Sequence, residues 1–282
     1  MKIALSCEST CDLPKELIEK YNINTIPFTV ILGDDIVEDD ATVPAKIYEF
    51  VEKTKKLPKT SAINEASYKE YFKSLLLNYD AVIHITLSSG LSCSNSNANK
   101  AAETLKNVYV IDSKSLSTGI ALLCLNAREL IDEGNTPEVI VDKLNARVPY
   151  IQASFVVERL DYLYKGGRCN KLALFGANLL KIRPQIIVKD GLMSPGKKFR
   201  GKMEVVVEKY CEETLAEFNT ADKKIAFITH TSATPEMVAR AKTALENAGF
   251  ETIYDTVAGG TITSHCGEHV LGILYFNDGK KI

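Results

Sequence analysis

Four short segments carry the residue types that do chemistry. Leu87-Ser88-Ser89-Gly90-Leu91-Ser92-Cys93-Ser94 crowds hydroxyls around a glycine, after an apolar run and before a helical pattern. Hydroxyls and backbone N–H groups at a helix N-terminus suit a phosphate or a carboxylate, and they equally suit plain capping. Ser264-His265-Cys266-Gly267-Glu268-His269 holds two of the four histidines. Of the others, His84 lies inside an apolar strand and reads as a core residue. His230 ends a strand and could face a cleft. Lys59-Thr60-Ser61 brings a hydroxyl pair to the entry of a helix and alone reads as a capping turn. Glu8-Ser9-Thr10-Cys11-Asp12 follows the first strand, where Asp12 is a plausible helix cap.

Two further chemistries are weighed against these residues. Gly90-Leu91-Ser92-Cys93-Ser94 approaches the G-x-S-x-G nucleophile elbow, with Ser in place of the last Gly. Ser92 and His265 would then act as a serine-histidine lipid hydrolase, the alternative reading, although no acid is evident to orient the histidine. His265 and His269 are four apart and would share a face on a helix, as metal ligands can. There is no H-E-x-x-H and no C-x-x-C, so no metal site is expected. Seven cysteines without a signal peptide read as reduced thiols.

Tyr162-Leu163-Tyr164-Lys165-Gly166-Gly167-Arg168 differs in kind, with paired glycines between two cations. Glycines let the backbone turn tightly and bring Arg168 close to an anion. From Lys165 to Lys202 the chain carries +9, which leaves −11 elsewhere in a total of −2. The near-neutral total argues against a generic nucleic-acid binder, and Phe175 and Phe199 are the only aromatics in that stretch. A docking surface for something negative is the competing reading to a solvated face. No run of ~18 apolar residues offers a membrane span. The first ten residues lack the apolar stretch of a signal peptide, so a cytoplasmic protein is expected.

The elements that must position these groups alternate between strand and helix. Lys2–Cys7, Ile26–Leu32, Ala81–Leu87 and Val108–Ile111 read as strands. Pro14–Tyr21, Pro44–Lys53, Glu65–Leu77 and Ser115–Glu133 read as helices, the last stopped by Gly134. In the second half Gln152–Val157, Ile182–Lys189, Ile225–Thr229, Thr252–Thr256 and Leu271–Phe276 are expected strands. Glu204–Phe218 and Pro235–Asn247 are expected helices. The alternation predicts an α/β fold, with parallel sheets covered by helices. The length of 282 residues suggests about two domains, divided here into 1–150 and 151–282.

Taken together, these segments resemble the DegV family of bacterial fatty-acid-binding proteins, the FakB-like proteins. The resemblance runs over essentially the whole chain. It rests on Glu8 to Leu13, Thr60-Ser61, Ser88 to Ser92, Leu160 to Arg168, and Ser264 to Gly267. It implies a two-domain DegV-like fold, each domain a mostly parallel sheet flanked by helices. It also implies a carrier, not itself an enzyme, with a long-chain fatty acid in an internal tunnel and no cofactor. A separate ATP-dependent fatty acid kinase would phosphorylate the presented carboxylate, and the acyl phosphate would feed phospholipid synthesis. Carried over by motif, Thr60, Ser61, Ser92 and His265 are expected at the carboxylate, with Ser9, Ser89, Gly90 and Arg168 in support. Lys197, Lys198 and Arg200 would dock the kinase or, transiently, an anionic membrane surface. The sequence departs from the family pattern at Glu8, Cys93, Glu268 and His269.

Overall fold

The computed structural model describes residues 1–169 and 182–279. The first half is built on a parallel sheet of β1 (Ile3–Glu8), β2 (Ile23–Ile26), β6 (Ala81–Thr86) and β7 (Val108–Asp112), in the order β2-β1-β6-β7. β1 and β6 are buried at every position, which is why they read as largely apolar runs rather than as alternating ones. The chain leaves this sheet at Pro27, whose missing N–H cannot continue a ladder. The run Ile26–Leu32, expected as one strand, is therefore split. Ile26 ends β2, while β3 (Thr29–Leu32) joins β4 (Asp35–Glu38) and β5 (Lys59–Ser61) in a small antiparallel sheet.

Helices α1 (Lys15–Lys20), α2 (Val43–Thr54), α3 (Glu65–Leu76), α4 (Ser94–Glu103), α5 (Thr118–Asp132) and α6 (Pro137–Arg147) complete this half. Ten residues of α5 are buried, because it packs against β1 and β6 on one side and against strands of the second half on the other. It starts three residues later than expected. Ser117 has φ +51° and donates its hydroxyl to Asp12 instead of entering the helix. Asp12 accordingly does not cap α1, whose N-cap position is Pro14, with no side-chain cap. Thr60 and Ser61 form part of a strand rather than a capping turn. The cap of α3 is Asn64, which accepts from the Ser67 N–H at 2.9 Å.

The second half contains β8 (Ile151–Val156), α7 (Asp161–Gly166), β9 (Arg183–Lys189), β10 (Leu192–Phe199), α8 (Met203–Glu217), β11 (Ile225–Thr231), α9 (Pro235–Asn247), β12 (Thr252–Val257), α10 (Gly260–Cys266) and β13 (Val270–Phe276). Its six strands run in the order β10-β9-β8-β13-β11-β12. The α/β class holds, but this sheet is mixed and not mostly parallel. Among the described residues its one parallel pair is β11 with β12, joined across helix α9. β9 and β10 form a hairpin through Asp190-Gly191, both at positive φ. That two-residue Asp-Gly turn is a hairpin signal the strand pattern alone did not use. β13 runs antiparallel to both neighbours.

The main apolar core joins the two halves around α5. A second core lies under α8 and α9, and a third under α2. Among the described residues, no helix is long and apolar enough to cross a membrane. Part of the basic stretch, including Lys171, Phe175 and Lys181, lies outside the described residues.

Candidate functional site

β5 and α10 bring Thr60 and His265 together across 205 positions of sequence. Thr60 Oγ1 lies 2.8 Å from His265 Nε2. Both line a cavity of about 280 Å³ between the two halves, with Ser61, Ser92, Cys93 and Arg168 completing its polar side. Phe28, Leu87, Leu91, Leu116, Met193 and Ile262 make the apolar side. A narrower apolar space of about 30 Å³ shares Leu116, Ile262 and Cys266 with it and reaches Phe155 and Leu274 of the second sheet. The arrangement is amphiphilic: hydroxyls, imidazole and guanidinium at one end, hydrocarbon at the other.

Ser92 sits in the turn before α4. Its Oγ accepts from the Ser94 N–H at 3.2 Å, which leaves the hydroxyl proton free to donate into the cavity. Burial, and secondarily the Arg168 cation, lowers the His265 pKa to about 4, so the imidazole is neutral at pH 7. Its Nδ1 is buried without a hydrogen-bond partner among the described residues. Gly166 packs directly against that nitrogen, since a Cβ built there would fall 2.7 Å from it. Arg168 follows the left-handed Gly167 that closes α7, and its Nη1 donates to the Gly166 carbonyl at 2.7 Å.

Ser9, Ser89 and Gly90 do not line the cavity. Ser9 donates to Asp39 and accepts from the Phe28 N–H. Ser89 accepts from Lys114 Nζ at 2.8 Å. Gly90 packs on Gly191 of the β9–β10 hairpin, with its notional Cβ only 2.5 Å from the Gly191 carbonyl oxygen. Lys197 bridges Glu213 and Glu217 at 3.1 Å each, so its charge is already balanced, while Arg200 is exposed. His269 lies beyond the end of α10 and bonds Glu158 at 2.5 Å, so it shares no helix face with His265.

The hydrolase arrangement is not formed. His265 bonds Thr60 and not Ser92, and among the described residues no carboxylate orients its Nδ1. His84 is a buried core residue, bonded through Nδ1 to Ser6 Oγ at 2.9 Å. His230 pairs with Asp255 at 3.2 Å and borders the narrow apolar space.

Of the buried acids behind the site, the sequence reading missed Asp39 and took Asp12 for a helix cap. Asp39 accepts from the N–H groups of Gly260 and Thr261 at the start of α10, at 2.6 and 3.1 Å. Asp12 accepts from the Gly259 N–H at 2.8 Å and from Ser117. Burial and the nearby Asp39 raise its pKa to about 8. Asp39 carries no local signal, since nothing in its neighbourhood announces a helix start 221 residues away.

The fold and the site define an α/β protein with two large sheets and one small one, and an amphiphilic cleft between its halves. The profile of a family described as "Uncharacterised protein, DegV family" matches residues 2–278. The chain belongs to the DegV family. It is 36% identical over 224 residues to a fatty acid-binding protein of Thermotoga maritima, covering 76% of this chain and 78% of that one. A fatty-acid-binding DegV family protein of Thermus thermophilus superposes with a TM-score of 0.89 at 26% identity, over 98% of this chain and 99% of that one. A stearic acid-binding protein of Eubacterium ventriosum superposes with a TM-score of 0.86 at 26% identity, over 100% and 99%.

Proposed function

We propose that the protein is a cytoplasmic carrier of one long-chain fatty acid. Thr60, Ser61, Ser92 and His265 hold the carboxylate, with Arg168 as electrostatic support, and the acyl tail follows the apolar wall towards Phe155 and Leu274. The observation that carries this reading is the Thr60–His265 pair at the polar end of a cavity whose deep wall is hydrocarbon. Hydroxyl and neutral imidazole donors bind a carboxylate without neutralising it, so one oxygen stays reactive. Each CH₂ withdrawn from water contributes roughly 0.8 kcal/mol, so a long tail is retained tightly. Fatty-acid binding is also what the names of the relatives state, with stearic acid named for one of them, and this supports the reading. The division of the chain near residue 150 into two domains, with the site between them, is part of the same proposal.

Mass spectrometry of the purified, denatured protein is expected to find a bound fatty acid. Finding none, with no uptake from added lipid, sinks the reading.

The carrier presents its carboxylate to a separate ATP-dependent fatty acid kinase, and the acyl phosphate enters phospholipid synthesis. Exposed basic residues on the second half, Lys198 and Arg200 among them, support docking of an acidic partner surface. Charge reversal at Lys198 and Arg200 is expected to slow phosphorylation of the bound acid while leaving the cavity filled. Unchanged phosphorylation removes that docking surface.

A further inference from the structure

Glu8 is a fully buried carboxylate at the end of β1, within hydrogen-bond reach of four donors, two of which, the Tyr68 and Ser94 hydroxyls, also lie 2.6 Å from each other. The Leu87 N–H donates to Oε2 at 2.6 Å and the Ser94 hydroxyl to Oε1 at 2.7 Å. Thr10 Oγ1 donates to Oε2 at 3.2 Å, and the Tyr68 hydroxyl donates to Oε1. Leu87 and Ser94 are the two ends of the turn that carries Ser92. One side chain therefore ties both ends of that turn to the central strand. The first half of the turn is also held from outside, by Ser88 on the Ser115 and Gly191 carbonyls and by the Ser89 N–H on Asp112. The bonds that Leu91 and Ser92 N–H make to the Ser88 carbonyl stay within the turn, and Glu8 holds Ser94, the residue whose N–H bonds Ser92 Oγ.

The opposite arm of the site is fixed separately. Asp39 and Asp12 hold the start of α10, and with it His265. The Ser92 arm and the His265 arm thus rest on different buried acids, all reached from the β1 side of the first half.

We infer that Glu8 is the positioning residue for Ser92. It holds the Ser92 hydroxyl on the wall of the same cavity that the Thr60–His265 pair lines. The inference rests on the fatty-acid reading above. An acceptor-only carboxylate meets the Leu87 N–H, the Thr10 hydroxyl and the Tyr68–Ser94 hydroxyl pair from its two oxygens. An amide in its place turns an N–H₂ towards two of them, so the turn must shift. A glutamate to glutamine change alters no volume and touches no ligand, which separates geometry from packing.

The test uses delipidated protein and two probes, palmitic acid and its primary alcohol, competing for a bound fluorescent acyl chain. Charge-assisted bonds make the head group of the acid the geometry-sensitive one. Glu8→Gln is expected to weaken the acid by about tenfold and the alcohol by less than about twofold. Glu8→Asp, which keeps the acceptors on a shorter arm, should fall between. Ser94→Ala deletes one of the four donors without touching the cavity, and it carries the test if Glu8→Gln does not fold. Its expected result is the same selective loss, smaller in size. Equal weakening of acid and alcohol, or no change in either, overturns the inference. A wild-type protein that takes up neither probe overturns the fatty-acid reading itself, an outcome distinct from the first.

Discussion

Gly166→Ala is expected to weaken fatty-acid binding by about 10- to 100-fold, the worth of one charge-assisted hydrogen bond. The new Cβ would lie 2.7 Å from His265 Nδ1, inside any real carbon-to-nitrogen contact, and 3.6 Å from the neighbouring ring carbon. The imidazole must rotate or retreat, and its bond to Thr60 at 2.8 Å is then lost. Alanine at the last position of α7 is the better helix former by about 1 kcal/mol, so the helix itself does not suffer. A fall in affinity with an unchanged or raised melting temperature is the expected pair of results, read by titration of delipidated protein and by thermal scanning. Full affinity in this variant would remove His265 from the head-group site.

Arg147→Ala is expected to cost about 3–5 kcal/mol of stability, the largest loss foreseen for one substitution in this fold. Arg147 ends α6 and is nearly buried. Its Nε donates to Asp278 at 2.6 Å, its Nη2 to Asp222 at 2.7 Å, and its guanidinium lies 3.7 Å from the Phe276 ring centroid. The Asp278 side chain has no exposed surface, so removing the guanidinium takes two charge-assisted bonds from a carboxylate held away from water. The planar fork serves two carboxylates and a ring face at once. Arg147→Lys is therefore expected to recover only part of the loss. The urea midpoint measures both variants, and a loss under about 1 kcal/mol in Arg147→Ala would show that the pair is solvated.

The helices and buried strands were legible where a single period ran uninterrupted. Pro235–Asn247 matches α9 at both ends, because Thr234 caps it, accepting from the Met237 N–H at 3.2 Å, and Pro235 opens it. β1 and β6 were legible because strands buried on both faces are mostly apolar, and their few polar residues, Ser6, Glu8, His84 and Thr86, do not break the run. Misreadings fell where a residue's partner is distant. Asp12 looks like a cap from its neighbours, but its partners are Ser117 and Gly259. Thr60 and Ser61 look like a turn, but β3 recruits them into a strand.

Residue type and order by themselves determined the kinds of group available: hydroxyls near 60 and 92, a histidine at 265, and glycines before Arg168. They did so because local chemistry and the spacing of apolar residues are properties of the chain. Tertiary structure alone decided which of these groups meet. Thr60 and His265 are neighbours because a three-residue edge strand and a seven-residue helix are each pinned from elsewhere, one by β3 and the other by Asp39 and Asp12. The reversal of strand direction in the second sheet was decided at the same level. It depends on a hairpin at Asp190-Gly191 and on where β13 finds its partners, and neither pairing is written within one segment.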